Sequence, residues 1–301
     1  MLRSIPAGRG RMELRYVGRV QVRRVLPRRR PDSHKGENGR VLVVGGSSRY
    51  VGAPALAALA ALRSGVDLVT VASPEDTARL INTFSPDLIT LKLPCRDLGP
   101  EVLPHLLPEL ERCDALIVGP GLGGREETGE AVLSLLEEVR SRHPSLSVLL
   151  DADALKAVRG RRMEGMRAVL TPHAGEFRAL TGREVPGELR GRAEVVSEEA
   201  RRLGCVLLLK GRVDVISSPQ GEVLLNRTGN PGMTVGGTGD VLSGVVGGLM
   251  AQGLGTFEAA WAGAYVNGAA GDLCLEEKGY GFTASDLIGK LPHVFKALRR
   301  G

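Results

Sequence analysis

Residues 228–253, TGNPGMTVGGTGDVLSGVVGGLMAQG, contain nine glycines and one charged side chain, Asp240. Glycines directly before a helix let consecutive backbone amides point at one position, and the helix N-terminus adds partial positive charge there. The stretch therefore predicts a helix over about 238–252 that begins with an anion hole. The backbone of Gly237, Thr238 and Gly239 is predicted to form this hole.

Asp240 falls in the first turn of that helix, so we expect its carboxylate to lie beside the anion hole. An aspartate next to a bound phosphate suits general-base catalysis on a hydroxyl that attacks phosphorus. The alternative is that Asp240 only caps the helix and the glycines form a tight turn. Capping accounts for one aspartate but not for so many glycines, which favours the catalytic interpretation.

The composition indicates a globular protein with an unusual content of glycine. The chain has 301 residues, of which 41 are glycine and 3% are aromatic, against a usual glycine share of about 7%. The four cysteines form no CxxC pair, which predicts reduced cysteines of a cytoplasmic protein and not a metal site. No apolar run reaches the ~20 residues of a membrane span, and the N-terminus lacks the apolar segment of a secretory signal.

The positive net charge of the chain comes from its first thirty residues. These contain ten arginines and one acidic residue, Glu13, a balance of +9 against +6 for the whole chain, so the remainder sums to −3. We predict a basic, solvated N-terminal extension over residues 1–33 and a single domain over residues 34–301. Nucleic-acid binding by the arginines is an alternative function, but the slightly acidic remainder makes a nucleic-acid partner the less favoured one.

From residue 40 onward, apolar runs of strand length alternate with helical patterns. Runs that are apolar throughout indicate strands buried on both faces of a parallel sheet. Further on, DVISS (214–218) and EVLLNR (222–227) flank PQG and predict a hairpin. The predicted fold is α/β, with a central, mostly parallel sheet and helices on both faces. The apolar runs are RVLVVGG (40–46), VDLVTVA (66–72), DLITLKL (87–93), CDALIVG (113–119), SVLLDAD (147–153), RAVLTPH (167–173) and CVLLLKG (205–211).

Ligands of open α/β sheets bind beyond the carboxyl ends of the strands, and several strands here end in polar or glycine-rich segments. Lys210 ends one strand, where it would face phosphates or, alternatively, solvent. These segments are predicted to share one edge of the sheet with the glycine-rich helix start. They are GGSSRYVGAP (45–54), GPGLGG (119–124), DADAL (151–155), TPHAGEF (171–177) and KGRVD (210–214).

The segment GPGLGG also satisfies the GxGxxG pattern, so a dinucleotide-binding dehydrogenase is an alternative class. Pro120 occupies a turn position, however, and Glu126 and Glu127 open the next helix where a pyrophosphate would dock. No acidic strand end follows about 20 residues later, as that fingerprint requires. A glycine-rich wall that lets a ligand approach the backbone is the better interpretation.

Taken together, these motifs resemble the ribokinase-like superfamily, in which a glycine-rich anion hole ends in the catalytic aspartate. A second signature there is an asparagine followed three residues later by glutamate, and this chain keeps Glu176 but has His173 in the place of the asparagine. The ordered segments HKGENGRVLVVGG, GPGLGG, DADAL, TPHAGEF, LLLKG and NPGMTVGGTGDVLSG narrow the resemblance. They are similar to the ADP/ATP-dependent NAD(P)H-hydrate dehydratase family over nearly all of residues 34–290.

The resemblance implies nucleotide-dependent dehydration of the hydrates (6S)-NADHX and NADPHX back to NADH and NADPH. The 6-hydroxyl is phosphorylated and phosphate is eliminated, with Mg²⁺ and with ADP (giving AMP) or ATP as co-substrate. It also implies a homo-oligomer, commonly a tetramer, and a separate NAD(P)H-hydrate epimerase that supplies the substrate. The alternative within the superfamily is a kinase of a small vitamin-precursor alcohol that uses the same hole and aspartate.

The resemblance also implies roles for residues that match by position. Asp240 is the catalytic residue and contacts the substrate hydroxyl, and Glu176 is a magnesium residue acting through water, with Asp151 and Asp153 as further candidates. Other residues implied to contact the hydrated dinucleotide are Ala53, Gly123 and His173. Residues implied to contact the nucleotide are Lys210, Gly211, Arg212, Val213, Asp214 and Gly239.

Overall fold

The computed structural model describes residues 13–300, which form one ten-stranded sheet covered by helices. The strand order across the sheet is β1-β10-β9-β8-β7-β6-β5-β2-β3-β4. The strands are β1 Arg15–Tyr16, β2 Arg40–Val44, β3 Leu68–Pro74, β4 Ile89–Leu93, β5 Ala115–Val118, β6 Ser147–Leu150, β7 Arg167–Leu170, β8 Val206–Leu209, β9 Asp214–Ser217 and β10 Val223–Asn226.

All described strands except β9 run in the same direction. β9 pairs antiparallel with both β8 and β10, and every other pairing is parallel. The β9–β10 connection is the hairpin that the sequence predicted. The central strands β5, β6 and β8 are buried along their whole length, as continuous apolar runs require when helices cover both faces.

The helices divide between the two faces of the sheet and create two apolar cores. One core lies under α1, α2, α9, α10 and α11, and the other under α4, α5, α7 and α8. The predicted mostly parallel sheet with helices on both faces is thereby confirmed. The helices are α1 Arg19–Val25, α2 Gly52–Ser64, α3 Glu75–Ile81, α4 Leu103–Leu110, α5 Glu126–Arg142, α6 Asp153–Ala157, α7 Ala174–Thr181, α8 Leu189–Leu203, α9 Thr238–Ala251, α10 Thr256–Lys278 and α11 Ala284–Arg300.

Small residues let α9 approach α2 closely. A Cβ atom on Gly244 would collide with the carbonyl oxygen of Ala57, and one on Gly248 would collide with the Ser64 hydroxyl. Several glycines of residues 228–253 therefore serve helix packing. The one tryptophan of the chain, Trp261, is on α10 and is 4% exposed.

The structure corrects the prediction of a solvated extension for residues 15–26. β1 pairs with β10 at the edge of the sheet, and Val17, Val22 and Leu26 are buried in the core beneath α10 and α11. Single apolar residues separated by arginines gave no clear periodicity, so the sequence pattern missed this packing. Residues 1–12 of the predicted extension lie outside the described residues.

The four cysteines are free. Cys205 and Cys274 are buried, whereas Cys95 and Cys113 are only partly buried. Within residues 13–300, none of the helices combines the length and the apolar character needed to cross a membrane.

Candidate active site

The candidate site lies where the parallel strands end. Asp151 follows β6 and Lys210 follows β8, so their side chains reach the carboxyl edge of the sheet. β9 runs in the opposite direction, and its first residue, Asp214, therefore lies at the same edge. The predicted convergence of polar strand ends is what parallel topology produces.

The start of α9, where the anion hole is predicted, is glycine-rich and has no side-chain cap. Gly237 is the residue before the helix, with a left-handed φ of +96°. A Cβ atom on Gly236 would meet nothing within 4 Å, so a ligand can approach the backbone here. The Thr238 hydroxyl donates to the carbonyl of Met233 at 2.7 Å, which fixes the preceding turn and leaves only the backbone of Thr238 for an anion.

Asp240 is the third residue of α9 and does not cap it, so the alternative of a purely capping aspartate is wrong. Burial raises the pKa of Asp240 to about 7, and the negative charges of Asp151 and Glu176 act in the same direction, against the opposing charge of Lys210. A carboxylic acid with a pKa near neutrality is well matched to general-base work at physiological pH. Perturbed groups of this kind cluster at functional sites.

Lys210 and Asp151 form a buried ion pair behind the anion hole. Lys210 Nζ lies 2.9 Å from Asp151 Oδ1 and 3.7 Å from Glu176 Oε2. The second oxygen of Asp151 accepts a hydrogen bond from the Ser243 hydroxyl at 2.6 Å. Burial alone would lower the pKa of Lys210 and raise that of Asp151, but their mutual attraction prevails and shifts both pKa values the other way.

The ammonium of Lys210 also lies at the start of α9. A Cβ atom on Gly239 would lie 3.5 Å from Lys210 Nζ and 4.0 Å from Asp151 Oδ2. Glycine at this position therefore leaves the lysine within reach of an anion held by the first turn of α9. The structure thus places Lys210 beside Gly239 and within electrostatic reach of Asp240.

His173 and Glu176 form a capping box at the start of α7. Nδ1 of His173 accepts hydrogen bonds from the amides of Gly175 and Glu176 at 3.0 and 3.2 Å. Glu176 Oε2 accepts from the His173 amide at 2.8 Å. Because Nδ1 accepts, a neutral imidazole carries its proton on Nε2, which lies 3.5 Å from Glu176 Oε1. The pair shapes the helix start and still presents polar atoms to the site.

The loop after Lys210 is closed by Asp214. Asp214 accepts hydrogen bonds from the Gly211 amide at 2.9 Å and from the Asn226 side chain at 3.0 Å. Burial raises the pKa of Asp214 to about 6 in spite of these bonds. The Val213 side chain packs on the apolar core, so only its backbone faces outward, whereas Arg212 is exposed.

In the glycine-rich segment 119–124, only part of the chain faces open space. Gly119, Gly121 and Gly123 all have left-handed φ values. A Cβ atom on Gly119 would collide with the carbonyl of Asp151, whereas one on Gly123 would have its nearest neighbour at 3.9 Å. The expected ligand wall is therefore reduced to the backbone around Gly123, while Gly119 is needed for packing.

Gly123 is joined to the acidic segment that follows β6. Its amide donates to Asp153 Oδ2 at 2.8 Å, and the other oxygen of Asp153 binds Lys156 at 2.6 Å. Between the two aspartates, Ala152 has a φ of +49°, a left-handed conformation that a non-glycine residue rarely adopts. Ala53, near the start of α2, lies close to the same segment through Gly121.

Two partners in this site were not found from the sequence. Ser243 lies one helical turn after Asp240, and that spacing was the only signal that it could face the site. Asn226 ends β10 opposite Asp214, and its role depends on the register of the hairpin.

Among the described residues, no three acidic, histidine or cysteine side chains converge as direct metal ligands. Both oxygens of Asp151 and both of Asp153 already bind protein donors. Magnesium usually keeps several waters and is held by substrate phosphates with one or two carboxylates. The residues fit a magnesium ion bound in this way near Glu176, and they do not form a dedicated cage.

The sheet, the uncapped glycine-rich helix start and Asp240 define a ribokinase-like fold, and solved structures confirm this class. A family model described as NAD(P)H-hydrate dehydratase matches residues 41–293. The chain belongs to this NAD(P)H-hydrate dehydratase family.

Relatives of full domain length support the assignment. The chain is 42% identical over 290 residues to an ADP-dependent (S)-NAD(P)H-hydrate dehydratase of Cenarchaeum symbiosum, covering 96% of this chain and 99% of that protein. It is similar to the crystal structure of the ADP/ATP-dependent NAD(P)H-hydrate dehydratase from Bacillus subtilis co-crystallized with ATP/Mg²⁺. That match has 31% identity and a TM-score of 0.81, and it covers 95% of this chain and 99% of the other.

Other relatives are longer than this chain. A bifunctional NAD(P)H-hydrate repair enzyme of Pyrobaculum aerophilum is 50% identical over 268 residues, which are 89% of this chain and 52% of that protein. The chain thus spans about half the length of the first curated relatives that it matches.

Proposed function

We propose that this protein catalyses the nucleotide-dependent dehydration of hydrated NADH and NADPH, (6S)-NADHX and NADPHX, with ADP or ATP as phosphoryl donor. The observation that carries the proposal is Asp240. Its pKa of about 7 places a base of neutral strength at the open, uncapped start of α9, beside the ammonium of Lys210. This arrangement suits removal of a proton from a hydroxyl that attacks a terminal phosphoryl group.

The reaction needs phosphorylation because hydroxide is a poor leaving group at neutral pH, whereas phosphate is a good one. Asp240 accepts the proton of the 6-hydroxyl while that oxygen forms a bond to the terminal phosphorus, and the bond to the departing nucleotide breaks, releasing AMP from ADP or ADP from ATP. The lone pair of the ring nitrogen then expels phosphate from carbon 6. Loss of a proton from carbon 5 restores the dihydropyridine ring.

The remaining residues have electrostatic and positioning roles in this proposal. The backbone of Gly237, Thr238 and Gly239 holds the transferred phosphoryl group, whose developing charge is stabilised by preorganised amides. Lys210 neutralises the phosphates, and its ion pair with Asp151 keeps the ammonium protonated and directed at Gly239. Residues 211–214 line the nucleotide side. Ala53, Gly123 and Nε2 of His173 line the dinucleotide side.

Magnesium fits this site as an ion carried by the nucleotide phosphates and bound through water to Glu176. When bound, it supplies charge neutralisation on the transferred phosphoryl group. Glu176 accepts a hydrogen bond from the His173 amide and so fixes the backbone at the start of α7. Its carboxylate would also offer an oxygen to the water shell of the magnesium ion.

The direct test follows recovery of dihydronicotinamide absorbance from hydrated NADH, with ADP, ATP or neither. We expect no recovery without nucleotide, and none with nucleotide in EDTA. Full activity without nucleotide would refute the proposed mechanism. A stable phosphate ester of a small alcohol, with no repaired dinucleotide, would instead identify a vitamin-precursor kinase of the same fold.

Three further properties belong to the proposal. The free cysteines support a cytoplasmic location, which fractionation of the native host would test.

We also propose that the protein is a homo-oligomer, and a tetramer by analogy with the family. Leu80, Phe84 and Ile89 expose apolar surface at the edge strand β4 and beside it, which a second copy of the chain could cover. Light scattering measures the oligomeric state directly. A separate NAD(P)H-hydrate epimerase would supply the reactive epimer, and adding one to the assay should speed repair of mixed epimers.

A further inference from the structure

Arg192, in the first turn of α8, lies against the proposed nucleotide loop. A Cβ atom on Gly211 would lie 2.6 Å from Nη2 of Arg192. Gly211 does not have a left-handed φ, so its backbone conformation does not require glycine. The absence of a side chain there instead makes room for the guanidinium next to the loop that begins at Lys210.

The guanidinium of Arg192 keeps one unpaired, buried donor in the part of the chain that the structure describes. Its Nε atom is buried without a hydrogen-bond partner there, and among the described residues no carboxylate forms an ion pair with the side chain. By contrast, Arg183 and Arg202 on the same side of the sheet both pair with Glu199. A buried donor without a partner is unfavourable, and a ligand that provides an acceptor removes this cost.

The charges around Arg192 point to an anionic ligand. The charge of Arg192 lowers the pKa of Asp214, but burial dominates and raises that pKa to about 6. Asp214 is already bonded to Gly211 and Asn226. The site thus holds several carboxylates, and its two lysines are already paired, Lys210 with Asp151 and Lys156 with Asp153. A nucleotide brings still more negative charge and needs a further cation.

We propose that Arg192 binds the phosphate that remains on the nucleoside monophosphate after phosphoryl transfer. This inference rests on the proposed function. Lys210 reaches Gly239 beside Asp240, at the phosphoryl group that is transferred. Arg192 covers Gly211, one residue further along the loop, and so faces the phosphate next to the ribose. Its forked donors suit the two oxygens of a phosphate.

The test compares Arg192→Gln with the wild-type protein by calorimetric titration of ADP and of AMP. A charge-assisted contact corresponds to about a 10- to 100-fold change in affinity, so we expect both dissociation constants to rise by at least 10-fold. The KM for ADP should rise similarly, while kcat at saturating ADP stays within about threefold. Arg178→Gln on neighbouring α7 is the matched control, since Arg178 is exposed and paired with Glu184, and it should leave ADP affinity unchanged.

Wild-type affinity for ADP and AMP in folded Arg192→Gln would overturn the inference. If this variant does not fold, Gly211→Ala provides the test, because the new methyl displaces the guanidinium. It should weaken ADP binding at least fivefold, and unchanged affinity would overturn the inference. In a foldable double variant, Gly211→Ala should add little to the effect of Arg192→Gln. A wild-type protein that binds ADP but fails to repair hydrated NADH would refute the proposed function alone.

Discussion

Replacing Asp240 with asparagine should abolish turnover and stabilise the fold at the same time. The pKa of Asp240 is about 7 in the folded protein, against an ordinary value near 4 for an unfolded chain. The folded state therefore binds a proton more tightly than the unfolded state, and ionised Asp240 destabilises the fold. This destabilisation is absent below about pH 4, grows between pH 4 and 7, and is complete above pH 7.

The size of the effect follows from the same pKa. A rise of this pKa from about 4 to about 7 corresponds to roughly 4 kcal/mol in the free energy of unfolding. We reduce this to about 2 kcal/mol because Asp240 is partly accessible to solvent. For a domain of this size, that is a gain of about 4 °C or more in melting temperature at pH 8. Turnover should fall by at least ~10²–10⁴-fold, while ADP still binds with similar or slightly higher affinity.

Calorimetric melting of both proteins from pH 4 to 9, together with single-turnover dehydration, measures both effects. Glu194→Gln on the exposed face of α8 is the control, because it removes a solvent-exposed carboxylate and should give no pH-dependent gain. A melting difference that does not change with pH, or a mutant less stable than wild type at pH 8, would contradict the electrostatic reasoning. Near wild-type turnover would remove Asp240 from the mechanism.

Three other outcomes are expected. The kcat/KM for hydrated NADH should fall tenfold per pH unit below an apparent pKa of about 7, because Asp240 must be ionised to accept a proton; a profile flat from pH 5 to 8 would exclude it as the base. Asp151→Asn should lower the free energy of unfolding, measured in urea, by about 3–5 kcal/mol, because it leaves Lys210 buried without its main partner. The double variant Asp151→Asn with Lys210→Met should recover part of this loss. Val22→Ala should cost about 2 kcal/mol, because this fully buried side chain anchors α1, whereas an unchanged melting temperature would mean that α1 does not support the domain.

The parts of the fold that depend on local patterns could be predicted from the sequence. β5 and β8 are apolar at every position, which only a strand covered on both faces tolerates. The hairpin was predicted from the turn signal between two apolar runs, and the start of α9 from the glycines before it. In each case, the residues that form the feature are neighbours in the chain.

The parts that depend on contacts between distant residues could not be predicted. Ser243 and Asp151 are 92 positions apart, and no local pattern records that a hydroxyl on one helix meets a carboxylate beyond a strand. The packing of Val22 was hidden because the surrounding arginines remove any apolar periodicity. Arg192 was indistinguishable in sequence from the other arginines of α8 until the fold placed it over Gly211.

The solitary buried indole of α10 gives this protein an optical property. Trp261 is the only tryptophan, and the chain has few other aromatic residues. Fluorescence excited at the long-wavelength edge of protein absorption therefore comes from this one side chain. The dihydronicotinamide ring absorbs in the range where tryptophan emits, whereas its hydrated form does not. Repair of the cofactor would therefore switch on energy transfer from α10, so that quenching of Trp261 can report product formation in real time without a label.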